Sequence, residues 1–264
     1  MPTHADNSPN IKWPLPAVGP AFSKNNFLSE ESFYGLRELI KDIPWGPGTD
    51  PQVNPYHTIP GRWVWGPSIP QTILDEITEK CRESFGVSDL KLTFTFMARY
   101  QPNGTVKPYL WEHMDQSSSQ YLLDLCLELK GIDDWGVIVD DQVFSEKENS
   151  AVLFHGQQQT HARPKYPSDD PDSYNILMFA AFIRPGHWAW DHDFTKPPTQ
   201  EYYDLIEKHR WDSEIRYYEY RGHSAQFIGL PEGNYDCPDC MQCYVVPPDF
   251  VDHIQGYVYL DKND

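Results

Sequence analysis

Apolar residues first recur at helical spacing along this chain and then switch to alternation. Phe33, Leu36, Leu39, Ile40 and Ile43 follow the three- and four-residue rhythm of one helix face. Ser29 stands where a capping residue belongs, and Pro44, lacking an N–H, stops the run. A second helical pattern passes through Ile73, Leu74, Ile77, Cys81 and Phe85 and ends at Gly86. Ser68-Ile69-Pro70-Gln71 ahead of it has the spacing of a capping box with proline in the first turn. Each helix is expected to bury one face. The Trp- and Pro-rich stretch from Trp45 to Trp65 reads as the loop between them.

From Leu90 the rhythm is that of strands. Phe94, Phe96, Ala98 and Tyr100 share one face, and Thr93, Thr95, Met97 and Arg99 the other. Further strands are expected at Tyr109–Asp115, Tyr121–Leu129, Trp135–Val139 and Ala151–Phe154, around His161, and at Tyr174–Ile183. Pro102-Asn103-Gly104, Gly131 to Asp134 and Glu148-Asn149-Ser150 supply the turns. No helix intervenes to make parallel crossovers, so the pattern predicts a sandwich or barrel. After Arg184-Pro185 the pattern predicts loops, a helix at Thr199–His209 and an irregular tail. The expectation is a mainly β fold with flanking helices in a single domain over 1–264. In it, 1–90 supply N-terminal helices and Trp/Pro-rich loops, 91–185 the β core, and 186–264 a helix and a Cys-containing lid or tail.

Composition narrows the function. Aromatic residues make up 14% of the 264 positions, which supports a sizeable core rather than a disordered chain. The formal net charge of −18 argues against gripping nucleic acid phosphates or anionic lipid. No apolar run approaches a membrane span and no signal peptide is evident, so a cytoplasmic enzyme is expected, with no nucleic acid or membrane partner and an undetermined oligomeric state. Five cysteines, an odd number, favour reduced thiols.

The chemistry concentrates in Tyr109-Leu-Trp-Glu-His113-Met114-Asp115. Residues two apart on a strand share a face about 6.5–7 Å apart, so His113 and Asp115 can reach one metal ion. His161 lies far enough downstream for several strands to return the chain to their side. Two His and one carboxylate cap one face of an octahedron and leave positions open, as in non-haem Fe(II) oxygenases.

With its aromatic strand ending Arg99-Tyr100, the Gly turn, and the run Asn149–Gly156 leading to Thr160-His161-Ala162-Arg163, the stretch Leu92–Pro185 resembles the Fe(II)- and 2-oxoglutarate-dependent dioxygenase superfamily in its prolyl-hydroxylase-like form. That resemblance implies a double-stranded β-helix (jelly-roll) with N-terminal helices packed on the larger sheet. It also implies Fe(II) held by His113, Asp115 and His161, and 2-oxoglutarate and O2 as cosubstrates. The implied reaction is hydroxylation, desaturation or cyclisation at an unactivated C–H bond. Tyr100 matches an aromatic that often touches the cosubstrate in the family. The chain departs from the family at the start of the last strand, where Ser173-Tyr174-Asn175 replaces the usual Arg or Lys. Arg163, two residues beyond His161, is the expected substitute for pairing the far carboxylate, with Tyr174 and Asn175 beside it. Lys165 and Arg99 are weaker alternatives.

His155 reads as structural. Gly186–Asp193 reads as an aromatic packing loop rather than a second metal cluster, and with Trp111 and Trp63–Trp65 it is expected to wall the pocket. Cys237, Cys240 and Cys243 read as free thiols in a tail turn, zinc or an iron–sulfur cluster being the alternative. Arg216–Tyr257 is the expected lid. Two rival functions remain: an iron oxygenase or oxidase of the same fold that needs no 2-oxoglutarate, and a non-catalytic binding or scaffold protein.

Overall fold

The computed structural model describes residues 19–45, 61–105, 107–113, 115, 118–196, 199–202, 234–236, 243–245 and 259–260. Two helices lead. α1 (Glu30–Lys41) opens at Ser29, whose side chain accepts from Ser32 N. Glu76 ties this cap to the second helix, accepting from Ser29 N at 2.6 Å and Ser29 Oγ at 2.8 Å. Burial raises the Glu76 pKa, but the hydrogen bonds from Ser32 and Ser29 outweigh it and keep the carboxyl below its usual range. α2 (Gln71–Phe85) starts behind Pro70 with no side-chain cap, so the capping box expected at Ser68 does not form. Gly86 closes the helix in the left-handed conformation, φ 66°, with its N–H on Arg82 O.

Ten strands build two antiparallel sheets. In chain order they are β1 (Phe22–Lys24), β2 (Arg62–Trp65), β3 (Lys91–Tyr100), β4 (Leu110–His113), β5 (Tyr121–Lys130), β6 (Gly136–Val139), β7 (Gln142–Ser145), β8 (Ala151–Phe154), β9 (His161–Arg163) and β10 (Tyr174–Ile183). The larger sheet runs β1-β8-β5-β10-β3-β2 and the smaller β4-β9-β6-β7. β2 corrects the expectation of a loop through Trp65: it pairs antiparallel with β3, Arg62 opposite Tyr100 and Trp65 opposite Met97. β1 and β7 are likewise strands that the alternation does not mark. At three or four residues each they are too short for periodicity to show.

The larger sheet is buried on both faces. Leu123 and Leu125 of β5 and Met178 of β10 share one core with Leu36, Ile40 and Ile77 of the helices. From the opposite face of the same strands, Leu122, Cys126, Leu177 and Phe179 join Tyr100, Phe154, Trp135, Val137 and Phe144 in a second core between the sheets. β5 and β10 therefore read as nearly continuous apolar runs, each fully buried aliphatic side chain contributing about 1.5–3 kcal/mol. Asp124 interrupts one of those runs and is 1% exposed.

Trp65 packs with the helix-side core while Val64 joins the inter-sheet core, so Trp65 does not face the interior as a pocket wall would. In the expected irregular tail, β11 (Asn234–Asp236), β12 (Cys243–Val245) and β13 (Tyr259–Leu260) form a third antiparallel sheet. Cys237 and Cys240, most of the expected lid, and the Thr199–His209 helix beyond residue 202 lie outside the described residues. Among the described residues no helix is long and apolar enough to cross a membrane.

Candidate metal centre

The smaller sheet brings the sequence motif together. β4 and β9 are antiparallel neighbours, and His113 is the direct backbone partner of His161. Directly opposed residues of such a pair project from the same face with Cα atoms about 4.5–5.5 Å apart. The register slips between Leu110 and His113, so β4 carries an extra residue just before the motif. Such bulges re-aim side chains next to functional sites. Asp115, beyond the strand end, donates its N–H to Gly156 O at 2.8 Å, which pins it beside the turn leading into β9.

Asp115 Oδ1 stands 3.5 Å from His161 Nε2. The other ring nitrogen of His161 lies 3.2 Å from Gln159 O, and a carbonyl can only accept, so Nδ1 carries a proton. In the neutral imidazole Nε2 then presents a lone pair toward a carboxylate oxygen, at a distance beyond a normal hydrogen bond. Two ligands at right angles on one first-row ion stand about 3 Å apart. Burial lowers the pKa of His161, but the Asp115 carboxylate and the Gln159 carbonyl outweigh it, and the net shift is upward. The ring also packs on Phe154, centroids 4.8 Å apart, and is 4% exposed.

Two residues that the sequence motif does not single out hold this pair. A Cβ on Gly156 would come within 2.5 Å of Asp115 Oδ2 and 2.8 Å of Ser119 O, so only glycine admits the carboxylate there. Asp140 accepts from Gln159 Nε2 at 2.8 Å and Thr160 N at 3.1 Å, fixing the turn that presents His161. Among the described residues no three His, Cys, Asp or Glu side chains gather around a metal position. The His113 side chain is not among those described; the register gives its backbone position alone.

The residues assigned to the cosubstrate divide. Arg163 is 2% exposed and points between the sheets, but its Nη2 bonds both Asp124 Oδ2 and Glu146 Oε1, the latter at 2.7 Å. Both two-nitrogen forks of a guanidinium include Nη2, so neither is open to grip a further carboxylate bidentately. Asn175 donates from Nδ2 to Glu146 Oε2 at 3.0 Å and belongs to the same cluster. Burial pushes Asp124 up to about 7 against the pull of Arg163, with Glu146 adding to the push. Tyr100 is fully buried on the same side, its hydroxyl without a hydrogen-bond partner among the described residues.

Tyr174 does not join them: it faces the opposite side, donating to Glu128 Oε1 at 2.8 Å beneath the Arg99 guanidinium. Adjacent residues of a strand cannot share a face, which separates Tyr174 from Asn175. Lys165 is exposed and Arg99 lies on the Tyr174 side, so neither replaces Arg163.

The other described His residues, His155, His187 and His192, take part in packing and turns. His155 is 7% exposed beside the rings of Phe85 and Tyr121, and burial pushes its pKa down to about 4. His187 Nδ1 accepts from Ala189 N at 3.0 Å, and Lys91 donates to Trp190 O at 2.6 Å and His192 O at 2.7 Å. Gly186–Asp193 is thus a packed aromatic turn.

No family model and no curated protein matches the sequence. Among solved structures, the chain is similar to HygX from Streptomyces hygroscopicus with nickel and 2-oxoglutarate bound, with TM-score 0.44 and 9% identity over 65% of this chain and 85% of that one. It is also similar to an oxidoreductase of the 2OG-Fe(II) oxygenase family from Burkholderia pseudomallei, with TM-score 0.46 and 12% identity over 63% and 86%. A third is SnoN, a non-haem alpha-ketoglutarate-dependent epimerase from nogalamycin biosynthesis, with TM-score 0.45 and 11% identity over 68% and 85%. Proteins of the superfamily that the motif resembles are therefore among the structures this chain is similar to.

Proposed function

We propose that the protein is a non-haem iron oxygenase built on a double-stranded β-helix. Its metal ligands are His113, Asp115 and His161, its cosubstrates 2-oxoglutarate and O2, and its substrate a small molecule oxidised at a C–H bond. One observation carries this reading: Asp115 Oδ1 and His161 Nε2 stand 3.5 Å apart, with the other nitrogen of the same ring 3.2 Å from Gln159 O. Both groups can ligate one cation held between them, and an N–H on a backbone carbonyl is the usual outer contact of a metal-bound His. Two imidazoles and one carboxylate suit Fe(II) and leave positions open for exogenous ligands.

When bound, iron with its cosubstrates supplies the oxidising power for an unactivated C–H bond. The chain supplies placement. Gln159 fixes the tautomer of His161, Gly156 makes room for Asp115, and the apolar inter-sheet core keeps water from the inner side. These residues fit a metal. Arg163, already shared by two protein carboxylates, does not fit the role of bidentate anchor for the cosubstrate. That pairing is the observation favouring a second reading, an iron oxygenase or oxidase that needs no 2-oxoglutarate.

Anaerobic reconstitution with Fe(II) tests the metal assignment. One equivalent is expected in the wild type and none in His113→Ala or His161→Ala, and unchanged stoichiometry in either variant would remove its residue from the ligand set. Succinate formed from 2-oxoglutarate distinguishes the first reading from the second.

A further inference from the structure

Among the described residues Arg163 and Arg62 bring guanidinium groups to the inter-sheet aromatic cluster; each has a buried Nε without a hydrogen-bond partner there, but their charge pairing differs. Arg163 has two acid partners, whereas among the described residues no carboxylate pairs with Arg62. Arg62 begins β2, the strand beyond β3, with its Cα opposite Tyr100. Its guanidinium carbon lies 5.6 Å from the Tyr100 ring centroid and 5.9 Å from that of Phe96, both on the inner face. Among the described residues neither the buried Nε of Arg62 nor the hydroxyl of the fully buried Tyr100 has a hydrogen-bond partner. A buried donor left unpaired is costly. Each is a buried donor to which the described residues bring no acceptor, and one of the two belongs to a cation, so an anion within reach of both would satisfy them.

The backbone holds them there. Gly61 has φ 78°, and a Cβ on it would meet Gln101 O at 2.5 Å; Gln101 N donates to Gly61 O at 2.9 Å. This close approach locks β2 to the end of β3, and with it Arg62 to Tyr100. Arg99, the neighbouring cation on β3, is turned to the other side against Tyr174, and Arg184 stands at the far end of β10.

We infer that Arg62 and Tyr100, rather than Arg163, bind the far carboxylate of a dicarboxylic 2-oxo acid, an inference that rests on the proposed iron and 2-oxoglutarate reading. The cation then comes from the strand flanking the β core, and the Arg163–Asp124–Glu146 cluster fills the interior behind it.

The test is calorimetric titration of the Ni(II)-loaded full chain with 2-oxoglutarate and with 2-oxobutyrate, which keeps the 2-oxo acid head and lacks the far carboxylate. The wild type is expected to prefer 2-oxoglutarate at least tenfold. Arg62→Met should abolish that preference with Ni(II) content unchanged, and Tyr100→Phe should reduce it several-fold. Tyr100→Phe removes only a hydroxyl, so it remains informative if Arg62→Met fails to fold. Retention of the full preference in Arg62→Met, or in Tyr100→Phe where the first variant does not fold, overturns the inference and leaves the iron reading standing. A wild type that binds Ni(II) but neither 2-oxo acid removes the cosubstrate and the inference with it, and one that binds no metal removes the whole reading.

Discussion

Arg163 Nη2 bonds Glu146 Oε1 at 2.7 Å and Asp124 Oδ2 as well, one nitrogen answering two carboxylates in the space between the sheets. All three side chains are no more than 1% exposed. Removing the cation leaves two acids facing each other in a dry interior, and breaking such a buried pair costs about 3–5 kcal/mol. Arg163→Ala is therefore expected to lower unfolding stability by about that amount, measured by urea titration, rather than to act selectively on cosubstrate affinity. Glu146→Gln keeps an acceptor toward Arg163, loses the one that Asn175 Nδ2 uses, and leaves one cation with one anion, so its cost should stay within about 1–2 kcal/mol. Equal costs for the two variants would show that charge balance does not govern the cluster.

Gly156 gives a sharper test of the metal centre. Any side chain there collides with Asp115 Oδ2 and with the carbonyl of Ser119, a backbone atom that cannot swing aside. Gly156→Ala should displace the carboxylate from His161 and weaken Fe(II) or Co(II) binding at least tenfold, about 1.4 kcal/mol or more. Anaerobic metal titration measures it. Wild-type affinity in this variant would mean that Asp115 is not a ligand.

Part of this site is legible in the sequence, and the residues show which part. His113, Asp115 and His161 are marked by type and spacing, and the β4–β9 register puts the two His residues opposite each other. The inner face of β3 follows from simple alternation, since Ala98 and Tyr100 join the inter-sheet core with Phe94 and Phe96 packed against it. Arg62 is not legible: four residues of edge strand beside Pro60 and Gly61 carry too little periodicity to separate them from a loop. Asp124 leaves a trace, a lone charge in the apolar run Tyr121–Leu127, which signals a buried partner without naming it. Glu146 leaves none, because its partners Arg163 and Asn175 stand 17 and 29 residues away and only the folded sheets bring them together.

His155 predicts an acid-side loss of stability. Burial pushes its pKa from 6.5 down to about 4 in the native state, so between those values the unfolded chain holds a proton that the folded chain does not. Stability then falls as pH drops through that window, by roughly 2–3 kcal/mol at its lower end. Asp124 works in the opposite sense. Its native pKa of about 7 lies above the unfolded 3.8, so its contribution is present at low pH and is lost as pH rises toward 7. His155→Phe isolates the first effect: the stability of the wild type relative to the variant should decline between pH 6.5 and 4.5 in denaturant titrations. A difference flat across that range would show that His155 is protonated in the folded protein.

Asp140 is expected to tune the metal without touching it. Its two oxygens hold Gln159 Nε2 and Thr160 N, and Gln159 O in turn holds the Nδ1 proton of His161. Asp140→Ala frees the turn on which the tautomer and aim of the imidazole depend. Loss of such an outer partner usually costs 10–100-fold in metal affinity. Because Asp140 adopts φ 46°, a conformation that Asn shares more readily than Ala, Asp140→Asn separates backbone strain from hydrogen bonding. Asn keeps one acceptor and the left-handed backbone, so its affinity should fall between wild type and Ala, with a melting temperature close to wild type. If Asp140→Ala loses stability but binds Fe(II) as tightly as the wild type, the Asp140–Gln159 link serves the fold alone, and the orientation of His161 is set by Phe154 and the β4–β9 register instead.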